Sequence, residues 1–374
     1  MIPFNKPYAS GKEYEYLKDA VASGKISGNG KYTKLCQQFF EKKYNFKKSL
    51  LTSSCTDALE MSAILMDIQP GDEVIMPSYT FVSTSNAFVL RGAKIVFADS
   101  EKEHPNIDCN KIEELINPKT KAICVVHYAG NACDMDKVME LAKKYNLKTC
   151  EDAAQAIDSF YKGKPLGSIC DVAAFSFHET KNIISGEGGM LAVNNENYIN
   201  RSEIIWEKGT NRSAFFRGEV DKYGWVDMGS SFLPSELQAA YLYAQLEELD
   251  TIQNRRKEIW NMYDAGLKNL EEAGKLTLPK IPSYATNNAH MYYLITKDLG
   301  ERSRLIEHLK KDNVNAVFHY LSLHKSPYYK DKHDGRELPM SDFFSDTLVR
   351  LPLFYELKNE EVQQIIDSIQ NFYK

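Results

Sequence analysis

From about residue 48 to residue 195, short apolar runs alternate with amphipathic segments, a pattern that few architectures accommodate. Runs of strand length stand at 49–52, 73–76, 94–98, 121–127, 147–151 and 173–177. Between them, 56–66, 81–90 and 135–144 carry apolar residues at helical spacing. Such alternation predicts β-α units and an α/β fold around a largely parallel sheet. In these sheets ligands gather at the carboxyl ends of the strands, so polar residues directly after the apolar runs are the first candidates for chemistry.

Further along, Pro234 opens a helical stretch that reaches Leu249, and a second, highly charged stretch covers 253–273 before Pro279 and Pro282 end the pattern. Strand-like segments at 291–295 and 315–318 then alternate with helical ones at 302–311 and 359–372. A chain of 374 residues is also too long for one ordinary small core. We therefore expect a large domain over 1–250, including an N-terminal arm, and a smaller C-terminal α/β domain over 251–374.

Charge and composition exclude several classes of partner. The net charge of −5 comes from 46 basic residues scattered among 51 acidic ones, with no basic block suited to a nucleic-acid backbone. No apolar run approaches the ~20 residues that span a bilayer, and Met1-Ile2-Pro3-Phe4-Asn5-Lys6 lacks a secretion pattern, so no membrane partner and a cytoplasmic location are expected. The seven cysteines stand far apart without a C-x-x-C pair, which reads as reduced thiols and no metal site. Neither a P-loop nor a G-x-G-x-x-G turn is present.

Three places combine a strand end with reactive or anion-binding residues. Lys181 follows the run Ala173-Ala174-Phe175-Ser176-Phe177 and precedes Gly186-Glu187-Gly188-Gly189. Partial desolvation there would lower its pKa and free an amine for carbonyl chemistry, whereas most lysines are solvated surface charges. Asp152, in Cys150-Glu151-Asp152-Ala153-Ala154-Gln155, ends another run. It suits either a helix N-cap or a carboxylate that keeps a pyridine nitrogen protonated, and the two roles can coexist. The hydroxyl-rich turn Thr52-Ser53-Ser54-Cys55-Thr56 enters a helical segment. Its free N–H groups could hold a phosphate, or its hydroxyls could simply cap the helix.

At these residues the chain resembles the sugar-nucleotide aminotransferases of the DegT/DnrJ/EryC group, nearly from end to end. The resemblance implies the aspartate aminotransferase fold (type I) and pyridoxal 5'-phosphate as cofactor. It makes Lys181 of Ser176-Phe177-His178-Glu179-Thr180-Lys181-Asn182 the residue that carries the cofactor as a Schiff base and acts as general base. Asp152 and Gln155 then contact the cofactor ring, while Cys55, Thr56 and Ser176 contact its phosphate. Phe81, in Pro77-Ser78-Tyr79-Thr80-Phe81, stacks on the ring, where a core phenylalanine is the alternative. Ser231 stands where many relatives carry an asparagine that reaches the neighbouring subunit's cofactor phosphate. Relatives build each active site from two chains, which implies a homodimer or a higher homo-oligomer.

Longer signatures, 69–77, 207–213 and 221–223, resemble the dTDP-4-amino-4,6-dideoxygalactose transaminases. That likeness implies amino transfer from L-glutamate to C4 of a dTDP-keto sugar. Lys208, Arg212, His319, Tyr320 and His324 become candidates for the sugar nucleotide, with Asn288-Ala289-His290 near them. Amination at C3, a UDP sugar, or a non-catalytic relative are the alternatives. A cofactor-dependent sugar dehydratase of similar sequence replaces the lysine with histidine, and here the lysine stands.

Overall fold

The computed structural model describes residues 1–374. Eleven strands appear in chain order: β1 (Lys48–Thr52), β2 (Glu73–Pro77), β3 (Lys94–Ala98), β4 (Thr120–Val126), β5 (Lys148–Asp152), β6 (Phe160–Tyr161), β7 (Lys164–Pro165), β8 (Val172–Ser176), β9 (Gly189–Val193), β10 (Tyr292–Ile295) and β11 (Leu348–Leu351). Seven of them form one sheet in the order β1-β9-β8-β5-β4-β2-β3. Only β9 runs against its neighbours, pairing antiparallel with both β1 and β8.

Side-chain alternation explains why the strands read as continuous apolar runs. Leu50, Val74, Met76, Ala122 and Cys124 enter the core on one face, and Leu51, Ile75, Ile123 and Val125 enter the core on the other. A sheet buried on both faces needs apolar residues at every position. The first face is covered by α3 (Cys55–Leu65), α4 (Val82–Val89) and α6 (Ile199–Trp206). The second is covered by α2 (Lys31–Tyr44), α5 (Met135–Tyr145) and α8 (Glu236–Glu247), against which α1 (Lys12–Ala22) packs.

A third core lies along α9 (Leu249–Glu272) and holds β10, β11, α10 (Leu299–Lys311) and α12 (Asn359–Phe372). Ile2 belongs to this core, bridging to Val314, so the first residues of the arm expected in the large domain pack among C-terminal elements. The strand-like segment 315–318 is also not a strand: Val317 makes one isolated bridge to Arg350, and the place beside β10 is taken by β11. A fourth cluster joins Tyr79 and Tyr128, on loops after β2 and β4, to Met291, Tyr293 and Leu348 and to Phe344 of α11 (Pro339–Thr347). This seam brings β10 and β11 to the carboxyl ends of the parallel strands.

Candidate active site

A cavity of about 610 Å³ opens at that seam. It brings together Cys55, Thr56, Phe81, Asp152, Gln155, Ser176, Lys181, His319 and Tyr320, residues from five separate stretches of chain. Two features decide between readings that the sequence left open. No helix follows Asp152, so it caps none; its Oδ1 accepts only the Ala154 N–H, at 3.1 Å, in a local turn. Phe81 is 55% exposed at the start of α4, so it is not a core residue.

Asp152 is buried without a cation within ion-pair distance. Burial pushes its carboxyl up, and the Thr84 hydroxyl, donating to Oδ2 at 2.7 Å, is the strongest influence in the other direction. The Ala154 N–H and the charge of Lys181 act the same way. Burial pushes the Lys181 ammonium down, toward the free amine. Its chain neighbour Asn182 is fixed from two sides: its amide donates to Gln253 Oε1 at 2.7 Å and to the Asn288 carbonyl at 2.8 Å, and its Oδ1 lies 2.8 Å from His290 Nδ1.

Opposite the lysine, Gln155 accepts the Ala129 N–H at 2.6 Å and donates to the Tyr320 hydroxyl at 2.9 Å. Tyr320 stacks on His319 at 3.5 Å between centroids, and His319 Nδ1 lies 2.7 Å from the Tyr128 hydroxyl. Burial holds both His290 and His319 well below the usual imidazole range, in the neutral form.

The cavity fits pyridoxal 5'-phosphate on structural grounds. Ser54 caps α3 by accepting the Asp57 N–H at 3.1 Å, leaving the first amides of the helix facing the space beyond it. Thr56 Oγ1 donates to Ser83 Oγ at 2.8 Å beside this end. Gly189 passes so close that a Cβ there would lie 2.3 Å from the Ser54 carbonyl carbon. An aromatic face at Phe81, an anion cradle at α3 and a buried carboxylate lacking a cation match a flat, phosphorylated, cationic ring.

Other expected residues lie elsewhere. Lys208, Arg212 and Ser231 line a separate cavity of about 1020 Å³ and are exposed in this chain. His324, expected near the sugar nucleotide, is buried and lines neither cavity, with Nδ1 2.8 Å from Ser78 Oγ and Nε2 3.6 Å from Asp342. Its bond to Ser78 ties it to the loop below Phe81. Sequence reasoning overlooked Thr84, Asn182 and Arg350, all at or next to the cavity. Only Arg350 left a signal, a charge inside the apolar run Leu348-Val349-Arg350-Leu351.

Known proteins share both the sequence and this arrangement. Residues 7–370 match the DegT/DnrJ/EryC1/StrS aminotransferase family. GDP-perosamine synthase of Escherichia coli O157:H7 is 32% identical over 376 residues, covering 100% of this chain and 98% of that protein. The crystal structure of the aminotransferase TlmJ from Streptoalloteichus hindustanus superposes with a TM-score of 0.91 at 27% identity, covering 100% of this chain and 99% of that one. The structure of S. venezuelae DesV in complex with a ketimine intermediate gives the same score and identity, covering 100% and 98%. The chain therefore belongs to the DegT/DnrJ/EryC1/StrS family and is a sugar aminotransferase that depends on pyridoxal phosphate.

Proposed function

We propose that this enzyme moves the amino group of L-glutamate to C4 of dTDP-4-dehydro-6-deoxy-D-glucose, yielding dTDP-4-amino-4,6-dideoxy-D-galactose and 2-oxoglutarate for a cell-surface glycan. The observation that carries the chemistry is the pairing, in one cavity, of a lysine pushed toward its free amine with a buried carboxylate that has no cation. The choice of sugar rests on the signatures at 69–77, 207–213 and 221–223. GDP-perosamine synthase, a relative over the full length, favours a GDP sugar as the second reading.

Pyridoxal phosphate supplies, when bound, a ring that accepts electrons from the donor's α-carbon. Lys181 Nζ holds the cofactor between turnovers and, once free, moves the α-proton as general base. Asp152 keeps a proton at the ring nitrogen, oriented by Thr84 and the Ala154 N–H. Phe81 covers one ring face and Gln155 faces its oxygen side. The amides of Cys55 and Thr56 together with Ser176 take the phosphate. His319 and Tyr320, linked to Tyr128 and Gln155, order the sugar's hydroxyls.

Ser231, Lys208 and Arg212 act in the partner's site of a cytoplasmic homodimer. Support comes from their exposure near Phe216 and Trp225, which are 69% and 82% exposed in the single chain. Within each chain, residues 1–250 form the cofactor-binding domain and 251–374 the smaller one, apart from the first residues of the arm.

Borohydride reduction of protein supplied with pyridoxal phosphate, followed by peptide mass mapping, tests the cofactor assignment. The added mass is expected on Lys181, and its absence there ends the reading. Incubation with glutamate and a panel of dTDP, UDP and GDP keto sugars tests the acceptor. NMR of the product separates C3 from C4 and an axial from an equatorial amine.

A further inference from the structure

Two walls of the cavity come from distant segments, and one buried side chain joins their roots. Residues 78–84 carry Phe81, Ser83, which accepts the Thr56 hydroxyl at 2.8 Å, and Thr84, which donates to Asp152 at 2.7 Å. Residues 319–324 carry His319 and Tyr320. The Tyr320 ring centroid lies 6.1 Å from that of Phe81 and 5.8 Å from that of Tyr79. Rings this close are in contact, so the place of one limits the place of the other.

The root of the first segment is held by the end of the second. The Leu323 N–H donates to the Ser78 carbonyl at 3.0 Å, and the His324 N–H donates to Ser78 Oγ at 3.2 Å. His324 Nδ1 lies 2.8 Å from the same oxygen. Both residues are buried, so water does not compete for these bonds. The surroundings also fix the proton on the imidazole. Its Nε2 has no hydrogen-bond partner and faces Asp342 at 3.6 Å, a carboxylate whose other oxygen is paired with Lys325 at 2.6 Å. His333, 5.2 Å away between ring centroids, is turned to the Arg336 carbonyl at 2.8 Å. A carboxylate favours an N–H on the side it faces, which leaves Nδ1 to accept the Ser78 hydroxyl.

Neither Ser78 nor His324 lines the cavity, so neither touches cofactor or substrate. Phe81, by contrast, is 55% exposed and stands extended at the start of α4 without a side-chain cap. A ring with so little packing of its own takes its position from the backbone that carries it.

We propose that His324 is a positioning residue: acting through Ser78, it fixes where Phe81 stands over the cofactor ring against the Tyr320 wall, and so sets how tightly the ring is held. This rests on the aminotransferase reading above, in which Phe81 covers one ring face.

The test compares the wild-type protein with Ser78→Ala, His324→Leu, His324→Asn, Phe81→Leu and the pair Phe81→Leu with His324→Leu. Absorbance titration gives each affinity for pyridoxal phosphate, and circular dichroism of the bound cofactor reports how the ring is seated. Ser78→Ala and His324→Leu should each weaken the cofactor by roughly 3- to 10-fold, the reach of one buried hydrogen bond, and alter its dichroism. His324→Asn places an amide oxygen where Nδ1 stood and should recover most of the loss. When Phe81 is already leucine, His324→Leu should add less than about 2-fold, because its effect passes through that ring. A contribution to folding alone lowers the melting temperature while affinity and dichroism stay as they were. That result in Ser78→Ala would overturn the proposal, and Ser78→Ala decides the matter alone if His324→Leu does not fold. An equal loss with and without Phe81 would overturn it as well. Borohydride trapping separates the two readings: wild-type protein that traps no cofactor sinks the aminotransferase assignment. Trapping on Lys181 with unchanged affinity in the variants sinks only His324.

Discussion

Thr84→Val removes one hydroxyl at nearly constant volume and isolates the tuning of Asp152. The hydroxyl donates to Asp152 Oδ2 at 2.7 Å with both residues buried, and Thr80 Oγ1 lies 3.0 Å from Thr84 Oγ1. A hydrogen bond to a charged group contributes about 1.5–3 kcal/mol. Since one pKa unit corresponds to about 1.4 kcal/mol, its loss should raise the carboxyl by roughly 1–2 units. Burial already pushes Asp152 up and Thr84 is the main opposing influence, so the change adds to an existing strain toward neutrality. A carboxyl that ionises less readily needs a higher pH to hold its charge. The acid limb of the glutamate half-reaction should therefore move upward by about 1–2 pH units. Single-turnover absorbance of the cofactor, followed across the pH range, reads this directly. Thr84→Ser restores the donor and should return the limb to its wild-type position. An unmoved limb in a folded Thr84→Val enzyme would show that the hydroxyl does not tune Asp152.

Two further outcomes follow from packing and burial. Gly189→Ala should weaken pyridoxal phosphate binding and cost about 1–3 kcal/mol of stability, because the new Cβ meets backbone at Ser54 and Cys55, 2.3 and 2.4 Å away. Gly186→Ala, where the surrounding space is open but φ is +80°, should lose some stability and keep its cofactor, as melting and absorbance titration will tell. Equal cofactor affinity in both variants would remove the close approach as a reason for glycine at 189. Separately, His290 has a folded pKa depressed below its usual 6.5 by burial, so the unfolded chain binds the extra proton first. Its effect is flat above about pH 6.5 and should cost up to about 1.4 kcal/mol per pH unit below it, with His319 adding in the same direction. Denaturant melts on both sides of that pH measure the slope, and His290→Gln should flatten it; an unchanged slope refutes the assignment.

The parallel strands were legible because a doubly covered sheet imposes apolar residues at every position. The six expected runs agree with β1, β2, β3, β4, β5 and β8 to within a residue at each end. β9 was hidden behind its own first residue, since Gly189 continues a glycine-rich turn in sequence while serving in space as the point where a strand slides past α3. β11 was hidden by Arg350, whose charge breaks the run that would have marked a strand, and Asn315-Ala316-Val317-Phe318 offered a better pattern nearby. Helices α1 and α2 left no clear reading because their charged faces dominate and their partner, α8, lies two hundred residues away.

The candidate residues Asp152 and Lys181 could be found because both lie at strand ends: Asp152 ends β5, and Lys181 lies in the loop after β8. The groups that set their behaviour arrive from distant segments, as Thr84 reaches Asp152 across 68 positions and Asn182 is held to Asn288 across 106. Such contacts leave no periodic trace. They do leave an electrostatic one, visible when the cavity is considered as a whole. It holds a carboxylate without a cation at Asp152 and a guanidinium without an anion at Arg350, and the two do not form an ion pair with each other. Desolvated charges of opposite sign would ordinarily meet, since pairing offsets part of the cost of burial. Holding them apart in one cavity leaves each facing a charge that the chain itself does not supply.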